Sequence, residues 1–177
     1  TEKEAKEIFD TNVFGVLNVC RSCIPLLRKT KGRILNVTSI GGIFALPFRG
    51  IYCSSKFAVE GISESLSMEL APMGIKVSII EPGDFKTNIN ANRKKSAFID
   101  NIHYPTFDVA LEQINQEVAS ALETNIIAIA VERILNKRNP HLRYRVATTT
   151  QHLSVWLYRL LPGRWFEKLI INHYKLR

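Results

Sequence analysis

The sequence predicts an α/β fold, a doubly wound parallel sheet with helices packed against it. Three observations carry that prediction. Helix-like and strand-like segments alternate along the chain, and parallel strands are what such alternation builds. The runs Arg33-Ile-Leu-Asn-Val37 and Lys76-Val-Ser-Ile-Ile-Glu81 read as short buried strands. A polar, glycine-bearing loop, Thr38-Ser39-Ile40-Gly41-Gly42, follows the first of them. Open α/β sheets form their ligand crevices at such strand ends.

The elements follow in order. Residues 2–29 read as a long helix with Ile8, Phe9, Val13, Val16, Leu17 and Cys20 on its buried side. Pro25 should kink it or mark its last turns. Residues 33–38 form a strand. Residues 51–71 form a helix carrying Ala58, Ile62, Leu66 and Leu70 toward the sheet, ended by Pro72, Met73 and Gly74. It supplies the crossover to the strand at 76–81. Residues 88–139 leave this rhythm. Val109, Ile114, Val118 and Leu122 suggest one amphipathic helix, and Ile126 to Leu135 another, beginning near Thr124 or Asn125. Residues 1–147 are expected to belong to one domain, with 148–177 a basic amphipathic helical extension.

At 177 residues and 46% apolar content the chain is long enough to bury a sizeable core. The uncharged stretch Val146 to Tyr158 is too short and too polar to span a bilayer. The net charge of +8 is uneven: residues 133–177 hold ten Lys or Arg against one acid, Glu167. Trp156, Leu157, Tyr158, Leu160, Leu161, Trp165, Phe166, Leu169, Ile170 and Ile171 are mixed with those cations. The mixture suits a membrane-surface helix through residues 150–177, and it suits equally a helix packed on the domain or on a second subunit. Nucleic acid is not expected as a partner, because no binding motif accompanies the charge. Cys20, Cys23 and Cys53 read as small buried residues in a reducing, cytoplasmic setting. His103, His141, His152 and His173 have no metal-ligand spacing, and no metal is expected.

The chemistry concentrates at Tyr52 and Lys56, four residues apart and so on one helix face. A cation near a phenol stabilises the phenolate and lowers a pKa that is ordinarily about 10. Such a tyrosine exchanges a proton with an alcohol or carbonyl near neutral pH. Ser39, thirteen residues before Tyr52, brings a hydroxyl that both donates and accepts. Taken singly, each residue has a plainer reading. Tyr52 and Lys56 could be a half-buried ring beside a solvated charge, Asn12 and Thr87 helix caps, and Ser39 a loop hydroxyl bonded to its own backbone.

Together these residues resemble the short-chain dehydrogenase/reductase family, in its hydroxysteroid and retinol dehydrogenase flavour. The likeness rests on Asn12-Val-Phe-Gly15, Gly32-Arg-Ile-Leu-Asn-Val-Thr-Ser39, Leu46-Pro-Phe48, Tyr52-Cys-Ser-Ser-Lys-Phe-Ala-Val-Glu-Gly61, and Pro82-Gly83 followed by Thr87, in family order. Arg143-Tyr-Arg-Val146 resembles the family's last strand. The resemblance implies a Rossmann-type fold and an NAD(P)-dependent oxidoreductase, with a lean to NADP. It implies Tyr52 as general acid or base and Lys56 as the group that depresses its pKa and holds the nicotinamide ribose. Ser39 would bond the substrate oxygen, and Asn12 would hold a water linking Lys56 to solvent. Pro82 and Gly83 would shape the loop beside the nicotinamide, and Thr87 would bond the cofactor's carboxamide or a phosphate. A homodimer or homotetramer pairing the helices at 2–29 and 51–71 is expected on the same ground.

The family's Gly-x-x-x-Gly-x-Gly turn does not occur in the sequence. That turn brings pyrophosphate to a helix N-terminus. The expectation is therefore the C-terminal part of a longer protein, unable to hold a dinucleotide properly by itself. Leu46 and Phe48 are placed for contact with a hydrophobic alcohol or ketone. Phe85, Phe98, Ile102, Tyr104 and Phe107 either line its pocket or are ordinary core. The alternative to an enzyme is a catalytically idle member acting as a binding or regulatory protein. A hydrolase using Ser39 is weaker still, since no Gly-x-Ser-x-Gly elbow surrounds it.

Overall fold

The computed structural model describes residues 1–87 and 104–177. Phe98 and Ile102, named above as candidates to line the pocket, and His103 lie outside the described residues. The chain opens on α1, Glu2–Phe9, held by a capping box in which Thr1 Oγ1 accepts from the Glu4 N–H and Glu4 reaches back to the N-terminus. The helical path continues through one π turn, Asp10–Phe14, into α2, Gly15–Thr30. The expected long helix is present, with its hydrogen-bond ladder widened around Asn12. Val13 and Cys20 are buried, and α2 runs through Pro25 to a left-handed cap at Lys31. Gly32 follows because a Cβ there would lie 2.5 Å from Leu27 Cδ2.

Among the described residues three parallel strands form the sheet in the order β1 (Arg33–Val37), β2 (Lys76–Pro82), β3 (Arg143–Val146). Arg33 pairs with Lys76 and Val37 with Ile80; Ile79 pairs with Arg143 and Pro82 with Val146. β2 is the central strand and reads as a nearly continuous buried run. Ile79 and Ile80 are fully buried, each burial stabilising the fold by about 1.5–3 kcal/mol. Cys20, Ile34, Leu70, Ile75 and Val77 form the core between the sheet and the helices, with Val16, Ile24, Leu27 and Leu66 packed against it. Cys23 is exposed, not buried as its neighbours suggested.

Helix α3 spans Gly50–Leu70 and ends in a 3-10 turn, Ala71–Met73, before Gly74 at φ 75°. Leu66 and Leu70 face the core as the apolar spacing suggests, but the rest of the buried face differs. Cys53, Ser55, Val59, Glu60, Ser63 and Leu70 are buried, whereas Ala58 and Ile62 are only half-buried. The polar members are accommodated by distant partners: Asn12 Nδ2 donates to Ser55 Oγ (3.0 Å), Asn36 Nδ2 to Ser63 Oγ (2.8 Å) and Thr38 Oγ1 to Glu60 (2.5 Å). Paired in this way, buried polar groups cost little.

Helices α4 (Phe107–Ala119) and α5 (Asn125–Asn136) occupy the expected places. The C-terminal segment forms two helices, α6 (Thr149–Leu160) and α7 (Gly163–His173), separated at Leu161-Pro162. Both pack on the domain: Val155 and Phe166 share a cluster with Ile40 and Phe44, beside the loop that follows β1. Among the described residues no helix is long and apolar enough to cross a membrane.

Candidate active site

The site is assembled where β1 ends. Ser39 leaves the strand in extended conformation and caps a 3-10 turn, Ile40–Gly42, its Oγ accepting from the Gly41 N–H at 3.1 Å. Tyr52, in the first turn of α3, brings its ring to the same side of Gly41 as the Ser39 hydroxyl, close enough for that hydroxyl to favour the phenolate. The glycine pair makes the approach possible. A Cβ on Gly41 would touch Tyr52 Cε1 and Cys53 Sγ at 3.4 Å and Ser39 Oγ at 3.5 Å. One on Gly42 would press at 3.1 Å on the backbone of Lys56. Two glycines thus let the loop lie against the helix that carries the phenol and the amine.

Lys56 is half-buried and donates to Val37 O at 3.3 Å, its Nζ 5.9 Å from the centre of the Tyr52 ring. Burial pulls the ammonium's pKa down. Burial likewise pushes the Tyr52 phenol up, while the Ser39 hydroxyl and the Arg49 charge pull it back down, and Cys53 and Asp84 oppose them. The sequence led us to expect a phenol made acidic by Lys56. Here the net direction is upward, because desolvation outweighs the favourable contacts, and Ser39 and Arg49 supply those contacts in place of the amine.

Asn12 sits in the π turn, a feature that recurs at functional sites. Its amide donates to Ser55 Oγ, which in turn donates to Tyr52 O at 2.7 Å. Asn12 therefore braces the turn of α3 that presents Tyr52. A second brace holds α3 to the sheet. Arg143 meets Glu60 at 3.1 Å and Glu81 at 3.5 Å, and Arg145 meets Glu81 at 2.7 Å.

Other expected site residues fall differently. Pro82 is buried at the end of β2, and the Gly83 N–H donates to Val146 O at 2.9 Å. A Cβ on Gly83 would collide with Gln151 Oε1 at 2.0 Å, so this glycine lets the start of α6 approach the strand end. Thr87 is exposed at the edge of the described residues. Leu46 is half-buried, and Phe48, at φ 57°, is 39% exposed and meets Tyr104 and Phe107 edge to face. A bulky residue at positive φ is uncommon and marks a constrained turn. Phe85 is only 6% exposed and bridges to Leu122, and Phe107 is buried too, so both are core residues.

Arg49 was not foreseen. It caps α3, its Nε and one terminal nitrogen are buried without hydrogen-bond partners, and its charge reaches the phenols of both Tyr52 and Tyr174. The one sequence signal was a cation three residues before the tyrosine. Tyr174 was missed as well. It is buried near the end of the chain against Ala110 and Ile114, with Leu46 packed on the same cluster, and burial holds its pKa far above the ordinary value.

A half-buried ammonium and a phenol at the carboxyl end of parallel strands suit the ribose and nicotinamide of a dinucleotide, so the residues present fit such a cofactor.

Comparison with known proteins agrees with this geometry. The short chain dehydrogenase family profile matches residues 1–97. A 3-ketodihydrosphingosine reductase of Bacteroides thetaiotaomicron is 36% identical over 180 residues, covering 100% of this chain and 67% of its own length. A short-chain dehydrogenase structure from Streptomyces avermitilis superposes with a TM-score of 0.71 at 30% identity, covering 96% of this chain and 62% of that one. A short chain dehydrogenase from Burkholderia cenocepacia J2315 in complex with NADP gives a TM-score of 0.71 at 21% identity, covering 96% of this chain and 60% of that one, a likeness of fold. The chain thus spans roughly two-thirds or less of the length of each of these proteins. The sheet and its flanking helices are a Rossmann-type fold, and the chain belongs to the short chain dehydrogenase family of oxidoreductases.

Proposed function

We propose that the protein is an NAD(P)-dependent oxidoreductase that interconverts a hydrophobic alcohol and its ketone or aldehyde. The observation that carries this reading is the convergence of the Ser39 hydroxyl and the Tyr52 ring beside Gly41, on a ledge that also holds Lys56. A nicotinamide cofactor, when bound, supplies or accepts the hydride. The chain's own residues handle the oxygen. In reduction Tyr52 gives its phenolic proton to the carbonyl oxygen; in oxidation the phenolate takes the alcohol's proton. Ser39 bonds the same oxygen as charge develops on it. Lys56 and Tyr52 would hold the ribose, with Pro82, Gly83 and Thr87 bordering the nicotinamide side. Asn12 keeps Tyr52 in position through Ser55.

The aromatic edge formed by Phe48 and Tyr104 beside Leu46 supports an apolar substrate. The relative named as a keto-group reductase supports carbonyl chemistry, and the solved neighbour holding NADP supports a nicotinamide cofactor. The choice between NAD and NADP rests with residues other than these. Exposed Phe14 and Val19 at α2, with Phe57 and Met68 on α3, support a dimer or tetramer built on those helices.

The test is turnover of a Tyr52→Phe variant, in a protein that carries this chain together with a glycine-rich dinucleotide turn. Sterols, retinoids and long-chain carbonyls are screened against small sugars. The rate should fall by about 100-fold or more with the melting temperature unchanged. Turnover at the parent rate contradicts the proposal, and a preference for sugars contradicts its apolar substrate.

A further inference from the structure

We propose that α6 and α7 form a docking face that seats the protein on the surface of an anionic phospholipid bilayer. Each helix buries one side in the cluster that contains Val155, Phe166 and Ile170. The side turned away from that cluster should be polar in a helix that meets only water. On α6 it is apolar: Leu153, Trp156 and Leu160 recur at helical spacing and are 52%, 59% and 59% exposed. On α7, Trp165 and Leu169, one turn apart, are 64% and 45% exposed. Two indoles and three leucines are thus exposed on adjoining helices, apolar surface of the kind that marks an interaction site.

The charge beside this face selects the occupant. Arg159, Arg164 and Lys168, on the two helices, are exposed, and Glu167 is the single acid among residues 148–177, already paired with Arg164 at 2.8 Å. A second copy of the same face would bring like charges together. An anionic headgroup layer complements them. Tryptophan suits the boundary layer, its ring apolar and its N–H able to reach a headgroup. The two helices have 12 and 11 residues, too short to cross the hydrocarbon, so they lie in the interface. This proposal is independent of the catalytic reading.

The chain's two tryptophans both lie on the proposed face, which makes their fluorescence a direct probe. The protein is mixed with vesicles of phosphatidylcholine alone or with phosphatidylglycerol, and emission and co-sedimentation are recorded. Expected are a blue shift, quenching by brominated acyl chains and sedimentation with the anionic vesicles, all lost at high salt. A Trp156→Phe, Trp165→Phe variant should still sediment while losing the shift. Leu153→Gln with Leu160→Gln should weaken partitioning by about tenfold or more. Arg164→Glu with Lys168→Glu should abolish the preference for anionic lipid. Circular dichroism shows that each variant is folded. An unshifted emission, equal binding to neutral vesicles, or tryptophans shielded in a dimer that ignores lipid would each overturn the proposal.

Discussion

The ledge around Tyr52 and the outer face of α6 and α7 are built from the same materials, aromatic rings and cations, yet they stand in opposite physical states. On the ledge, Tyr52 and Lys56 are drawn out of water and held by a specific neighbour or by close packing against a glycine loop, and two guanidinium nitrogens of Arg49 are buried as well. On the outer face, Trp156, Trp165 and their cations are open to solvent and make few contacts with the domain. Burial makes the first region a place where protonation states can be tuned. Exposure leaves the second with surface area and charge, which serve binding and do little for chemistry.

Breaking the buried region should be costly. Ile79→Ala, on the central strand at 0% exposure, should lower stability by about 2–5 kcal/mol in urea unfolding. A loss under 1 kcal/mol would mean that β2 is not the centre of the core.

A smaller effect tests the brace between α3 and the sheet. Glu60 carries a pKa raised chiefly by burial, with Thr38 and Arg143 pulling it down. The folded protein therefore binds that proton more tightly than the unfolded chain does. Glu60's contribution is fully present below the unfolded carboxylate pKa and is lost as pH rises through the raised folded value. Stability of the parent relative to Glu60→Gln should thus be greatest in acid and decline toward neutrality. A difference that grew with pH would reverse the sign of the account.

Arg49 gives a subtler readout. Its charge favours the Tyr52 phenolate, so Arg49→Met should raise the phenol's pKa further. In alcohol oxidation, the rising limb of the kcat/KM profile should move to higher pH while the fold is kept. A limb that stayed in place would remove Arg49 from the site's electrostatics.

The smallest effect belongs to the outer face, where Trp165→Gln should change stability by no more than about 0.5 kcal/mol. A large loss would show that this indole is structural, and the contrast between the two regions would disappear.

The same contrast explains what could be read from the sequence. Strands at 33–37 and 76–82 and the helix at 50–70 were legible because short apolar runs and glycine or proline punctuation report local structure. Ser39, Tyr52 and Lys56 were singled out by their spacing and by the family resemblance, and the structure brings the three near the end of β1. The buried face of α3 was not, since Ser55, Glu60 and Ser63 are buried only because Asn12, Asn36 and Thr38 arrive from elsewhere to pair with them. Hydrophobic periodicity records no such partners. Arg49, Gln151 and Tyr174 escaped for the same reason, each defined by a neighbour distant in sequence or by burial. The direction of the Tyr52 shift was missed because a spacing shows which charges lie near, not how much water has been removed.

The proposed chemistry requires Ser39 and Tyr52 to act as one unit on the substrate oxygen. A double-mutant cycle on kcat, with Ser39→Ala, Tyr52→Phe and the combined variant, tests it most directly. Residues that act as a unit are strongly non-additive, so the combined variant should be about as slow as Tyr52→Phe alone. If the two losses instead multiplied, the hydroxyl and the phenol would be working separately and the claim would fail.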